Sequence, residues 1–143
     1  MFALEPLIVV RLKEHLSSAL PDVRADVKGW SEDGDRKVIP GRVSVLVRLA
    51  GTPPNAVSRV AAAIGTGWWV DLRAKRSPQA ATLLDSVFAE ALCGLHDWAP
   101  ASVGGRKWSQ LALQSADLAE PIDDGVFGIS LYFQSAAIYP GKR

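Results

Sequence analysis

Apolar residues recur along the chain with two different periods, and the change from one period to the other marks the elements. In residues 4–20, Leu4, Ile8, Leu12, Leu16 and Leu20 stand four apart, and Val9 and Ala19 join their arc when each residue is turned by about 100°. This spacing predicts an amphipathic helix. Ile8, Val9 and Val10 could begin a strand, but Arg11, Lys13, Glu14 and His15 break the alternation a strand needs, and Pro21 ends the helix. VRADVKGW (23–30) reads as a weak strand. RVSVLVRLA (42–50) is a clear one, with Val43, Val45, Val47 and Leu49 alternating against Ser44, Leu46 and Arg48. Between them, residues 31–41 carry charges and glycines without periodicity and are expected to form a mobile loop.

GTPPNAVSRVAAAIGTG (51–67) is expected to be a connection holding a short helix from Pro54 to Ile64, and WWVDLRA (68–74) is the next strand. The second helix lies within SPQAATLLDSVFAEALCGLHDW (77–98). Ser77 is a good N-cap there, and Pro78 suits the first helical position because its missing N–H would be unpaired anyway. Leu84, Val87, Phe88, Ala91, Leu92 and Leu95 then share one face. KWSQLALQSA (107–116) and VFGISLYFQSAAIY (126–139) read as two strands joined by a polar link, and residues 140–143 as a frayed end. The chain shows no repeats. The order helix, three strands, helix, two strands predicts a single α+β domain over residues 1–143, with a mixed or antiparallel sheet of about four to five strands and two main helices packed on one face.

Composition narrows the function classes. Apolar residues make up 48% of the chain and charged ones 22%, so a packed core rather than disorder is expected. With 16 basic and 15 acidic side chains, no overall field exists to hold a polyanion, and sequence-specific nucleic acid binding is not expected. Cys93 is the only cysteine, which excludes an internal disulfide framework. Glu5 and Arg11 flank a short apolar run that does not read as a secretory leader, and no run approaches the roughly 20 apolar residues that span a bilayer. A cytoplasmic protein with no membrane partner is the expectation.

Catalytic candidates are few. Cys93, His96 and Asp97 stand at i, i+3 and i+4 and could approach one metal ion, but His15, the only other histidine, has no helper nearby in sequence. His96 and Asp97 read better as solvated residues of the last helical turn, and nothing near Cys93 favours a reactive thiolate. The Gly-x-Gly of AIGTGWW precedes a strand instead of opening a helix, so it is a turn and not a phosphate cradle. SEDGDRK lacks the spacing and closing glutamate of a calcium loop, and Asp123 and Asp124 are turn formers. Neither paired carboxylates nor a serine-histidine arrangement emerges, so no enzymatic activity, cofactor or metal is expected.

Surfaces say more. Trp68 and Trp69 are adjacent in a strand, so they point to opposite faces: one belongs to the core, while the other lies beside Asp71 and Arg73. On the second helix, the face opposite the apolar stripe carries Thr82, Ser86, Ala89 and Cys93, and Asp85 and Glu90 are the only charges between Ser77 and Leu95. Small uncharged residues let another backbone approach closely. Trp68, Trp69, Arg73, Thr82, Ser86, Ala89 and Cys93 are therefore the candidate subunit or partner interface, with a loop of the same chain as the competing cover.

Taken together, EPLIVVRLKEHLSSALP, RVSVLVRL, WWVDLRAKRSPQAATLLDSVFAEALCGLHDWAP, KWSQLALQSAD and GVFGISLYFQ resemble, in pattern and order, the tail terminator (tail completion) proteins of long-tailed bacteriophages, of the Mu-like and lambda-like types. The likeness covers nearly the whole chain. It implies a small α+β structural protein without enzymatic activity. Such a protein forms a homohexameric ring on the last ring of the tail tube, stops its polymerisation and presents the docking surface for the head-neck connector. The partners implied are further copies of the chain, the tail tube protein and the head-neck protein, with DNA passing through the ring lumen. The implied location is the head-proximal end of the virion tail, assembled in the host cytoplasm. Glu32, Asp33, Asp35, Arg36 and Lys37 become candidates for a partner-binding loop that orders on contact. A head-tail joining (neck) protein, a small cytoplasmic ligand-binding module with a pocket between sheet and helices, and a hydrolase are the alternatives.

Overall fold

A computed structural model of the chain describes residues 2–32, 38–51, 61–101, 107–118 and 125–140. The four-residue spacing folds as α1 (Leu4–Ala19), which buries Leu4, Glu5, Ile8, Val9, Leu12 and Leu16 along one stripe. Ala19, its last residue, is exposed. The Leu20 N–H closes the helix on the Leu16 carbonyl at 2.9 Å, immediately before Pro21.

The remaining elements are β1 (Ala25–Gly29), β2 (Val43–Gly51), β3 (Ala61–Lys75), α2 (Ala80–Leu95), β4 (Lys107–Trp108), β5 (Ala112–Leu118) and β6 (Val126–Pro140). The α+β expectation holds, with six strands in one mixed sheet ordered β1-β2-β3-β6-β4, and with β5 also pairing β6. β3 and β6 form the spine, antiparallel over their full length from Ala61 opposite Pro140 to Lys75 opposite Val126. β1 runs parallel to β2, Ala25 facing Val43 and Gly29 facing Val47. A parallel pair needs a crossover of a dozen or more residues, and this is what the long charged connection between Gly29 and Val43 supplies.

Three local expectations are corrected. Ala61–Ile64, assigned to the end of a short helix, belongs to β3, where pairing with β6 outweighs alanine's helix preference; Pro54–Val60 lies outside the described residues. Ser77 does not cap α2 through its side chain: Gln79 is the N-cap, and Ser77 instead accepts the Ala80 N–H on its carbonyl at 3.2 Å. Residues 107–116 are two strands, because Ser109 turns the chain: its hydroxyl accepts the Ala136 N–H at 2.8 Å and its carbonyl accepts the Ser135 hydroxyl at 2.7 Å.

Both helices pack on one face of the sheet. Val43, Val45 and Val47 of β2, Trp68, Val70 and Leu72 of β3, and Leu131 and Phe133 of β6 meet the apolar stripes of α1 and α2 in one core. Trp68 is fully buried, and its indole N–H donates to the Thr66 hydroxyl at 2.9 Å, which donates in turn to the Ser135 carbonyl at 3.1 Å. The donor of the largest fully buried side chain is thus satisfied inside the protein.

Candidate functional site

The face of the sheet turned away from the helices has no second layer among the described residues. It carries Leu46 and Arg48 of β2, Trp69, Asp71 and Arg73 of β3, and Ser130, Tyr132 and Gln134 of β6. Alternation places them there: the register sets Arg48 opposite Trp69, and Trp69 opposite Tyr132.

Trp69 is half-buried, and its cover comes from its own neighbours. The Tyr132 ring lies 4.9 Å away, centroid to centroid and tilted by 37°, and the Arg48 guanidinium sits 5.5 Å over the indole. Gly67 makes this arrangement possible, since a Cβ there would run into the Tyr132 hydroxyl. Arg48 is held in place by its Nε–H, which donates to Asp71 Oδ2 at 2.8 Å. The other oxygen of Asp71 accepts the Ser130 hydroxyl at 2.6 Å, and the carboxylate is only 3% exposed although it belongs to the outer face. A buried carboxylate persists where its oxygens are paired, as these are. Arg73, further along β3, is half-buried with its Nε enclosed and without a hydrogen-bond partner among the described residues.

The second candidate surface, on α2, is open. Thr82, Ala89 and Cys93 are exposed and Ser86 is half-buried, its hydroxyl turned back onto the Thr82 carbonyl at 2.9 Å, so no loop among the described residues covers this face. Trp68 leaves the set of contact residues because the core encloses it completely. In the loop, Glu32 is exposed and its N–H closes a turn on the Gly29 carbonyl at 3.1 Å, whereas Asp33, Asp35, Arg36 and Lys37 lie outside the described residues.

His96 and Asp97 finish α2. The His96 Nδ1 accepts the Leu113 N–H at 3.2 Å, and Asp97, in the left-handed conformation at φ 61°, donates its N–H to the Leu111 carbonyl at 2.8 Å. These bonds tie the helix end to the start of β5, and Cys93, His96 and Asp97 do not gather around a common point. Cys93 instead approaches His15 and Glu90, a grouping the sequence hid because His15 is on the other helix.

Large apolar residues that the pattern analysis did not single out are also exposed. Leu118, at the end of β5, is 88% exposed, Phe2 69% and Trp30, just past β1, 53%. The layer between sheet and helices is closed by fully buried Trp68, Phe133, Leu12, Leu72 and Leu95. An open cleft of about 340 Å³ lies elsewhere, between the C-terminal half of α1 and β1, lined among others by Lys13, Arg24, Asp26 and Arg42.

Compared with known proteins, the chain matches no family model and no curated protein sequence. Its fold does match solved structures. One is a chain from the virion of a native gene transfer agent (GTA) particle, with a TM-score of 0.66 at 12% identity, covering 95% of this chain and 95% of that one. The two chains therefore share a similar fold over nearly their whole lengths.

Proposed function

We propose that this protein is a structural component of a phage-like virion, of the tail terminator type. Copies close into a hexameric ring on the end of the tail tube, stop its polymerisation and offer the surface onto which the head-neck connector docks. No catalysis is involved. The observation that carries this reading is the end-to-end fold match to a chain that is itself part of a virion.

The surfaces support it. Trp69, Tyr132 and Leu46 are half-covered on a sheet face that, among the described residues, lacks a second layer and offers the enclosed Arg73 Nε no acceptor. The open Thr82, Ala89 and Cys93 face of α2 is a different patch on the same molecule. A ring made by one rotation needs two unlike patches per subunit, each fitting the other on its neighbour. Here Trp69 and Arg73 belong to one patch and Thr82, Ser86, Ala89 and Cys93 to the other.

Size-exclusion chromatography with light scattering, run with and without purified tail tubes, tests the reading. A particle of six times the 15.3 kDa chain mass is expected, either free or on tube ends, together with tubes that no longer elongate. A chain that stays monomeric on tubes that keep growing overturns it. Binding to portal rings in place of tubes would make the protein a neck component of the same virion.

A further inference from the structure

We infer that His15, Glu90 and Cys93 form a binding site for a borderline divalent cation, zinc being the natural example, at the seam between α1 and α2. His15 comes from α1, while Glu90 and Cys93 stand one turn apart on α2. Their imidazole nitrogen, carboxylate oxygen and thiol sulfur all lie within 4.8 Å of one another, and His15 Nε2 is 2.9 Å from Glu90 Oε2. Zinc bonds of about 2.0–2.3 Å in a tetrahedron put ligand atoms about 3.5 Å apart, so a modest rotation of the Cys93 and Glu90 side chains closes the set. One nitrogen, one oxygen and one sulfur donor select zinc, cobalt or cadmium over magnesium or calcium, which prefer oxygen alone.

The scaffold favours this meeting. The His15 ring lies against Gly94, where a Cβ would come within 2.9 Å of its Cδ2, so glycine is what lets the imidazole cross to α2. Arg11 lies one turn earlier on α1. It is turned away into other work: its Nε–H donates to the Gly94 carbonyl at 3.0 Å and its guanidinium lies 5.6 Å over the Trp98 ring. His15 and Glu90 are part-buried and Cys93 is exposed, which in the unassembled chain leaves a fourth position open to water. On binding, the thiol releases its proton, His15 presents the Nε2 lone pair with its remaining proton on Nδ1, and the two helices become cross-linked. The site uses residues of one chain and does not rest on the ring.

Titration of the reduced full-length protein with cobalt(II) tests this. One equivalent should produce a thiolate-to-cobalt charge-transfer band in the near ultraviolet and the intense visible bands of a four-coordinate ion. Cys93→Ser should abolish the charge-transfer band. Loss of outer-shell partners already weakens metal sites by about 10–100-fold, so His15→Gln and Glu90→Gln should each weaken binding by at least about tenfold. His96→Gln should leave the spectrum and the affinity unchanged. Zinc should raise the melting temperature of the wild type and leave that of Cys93→Ser where it was. Absence of the band, or equal affinity in His15→Gln confirmed as folded by circular dichroism, overturns the site, the latter by reducing it to a lone thiol. Dependence on His96 overturns it equally.

Discussion

Replacing Trp68 by Ala removes an indole wholly enclosed between sheet and helices, together with the donor that anchors Thr66. The expected loss is about 3–5 kcal/mol of stability, read by chemical denaturation. Trp69→Ala gives up one aromatic pair and one cation–π contact on a half-covered face, worth together roughly 1–2 kcal/mol, and its larger effect should fall on self-association. Equal destabilisation by both changes, with assembly intact, would exclude Trp69 from any interface. The pair was legible as far as its geometry went: adjacent strand positions must diverge. Which ring faced inward was not, because that depends on the pairing of β3 with β2 and β6. Nor could the sequence show that Asp71 is buried, since its partners Arg48 and Ser130 are 23 and 59 residues away.

At the scale of elements, α1 is fastened to β1 by a carboxylate. Glu5 is buried, and its Oε1 accepts both the Ser31 N–H at 2.8 Å and the Ser31 hydroxyl at 2.7 Å, in space left by Gly29, where a Cβ would collide with it. Glu5→Ala should cost roughly 2 kcal/mol, a value ordinary for hydrogen bonds to a charged group. Gly29→Ala should cost a comparable amount by expelling the same side chain. Because both changes break one contact, the double variant should be little worse than either alone, and full additivity in a double-mutant cycle would show that Gly29 acts through something else. The helical and strand periods located both helices, β2, β6 and the second half of β3, because burial on one face imposes them. They could not reveal the Glu5 anchor, the parallel pairing of β1, or the His15 cluster, since each joins residues from elements whose contact is fixed only by packing. Local preference also misled where tertiary pairing overrode it, as at Ala61–Ile64, and where a side chain solved a turn unexpectedly, as at Ser109.

For the whole molecule, the balance of charge decides how assembly should respond to salt. Sixteen basic and fifteen acidic side chains leave a net charge of +1, so subunits neither repel nor attract one another strongly at long range. If the proposed ring closes by covering the Leu46, Trp69 and Tyr132 strip and the uncharged face of α2, its driving force is removal of apolar surface from water. Screening then acts on Arg73 and on little else. Raising sodium chloride from low to about 0.5 M, where the Debye length falls to roughly 4 Å, should change the association constant less than about threefold. Ammonium sulfate, excluded from protein surfaces, should strengthen association instead. Light scattering across the two salt series reads both effects. Dissociation driven by sodium chloride would place the contacts on charged groups, such as those around the Lys13, Arg24 and Arg42 cleft, and would withdraw the sheet face and the α2 face from the interface together.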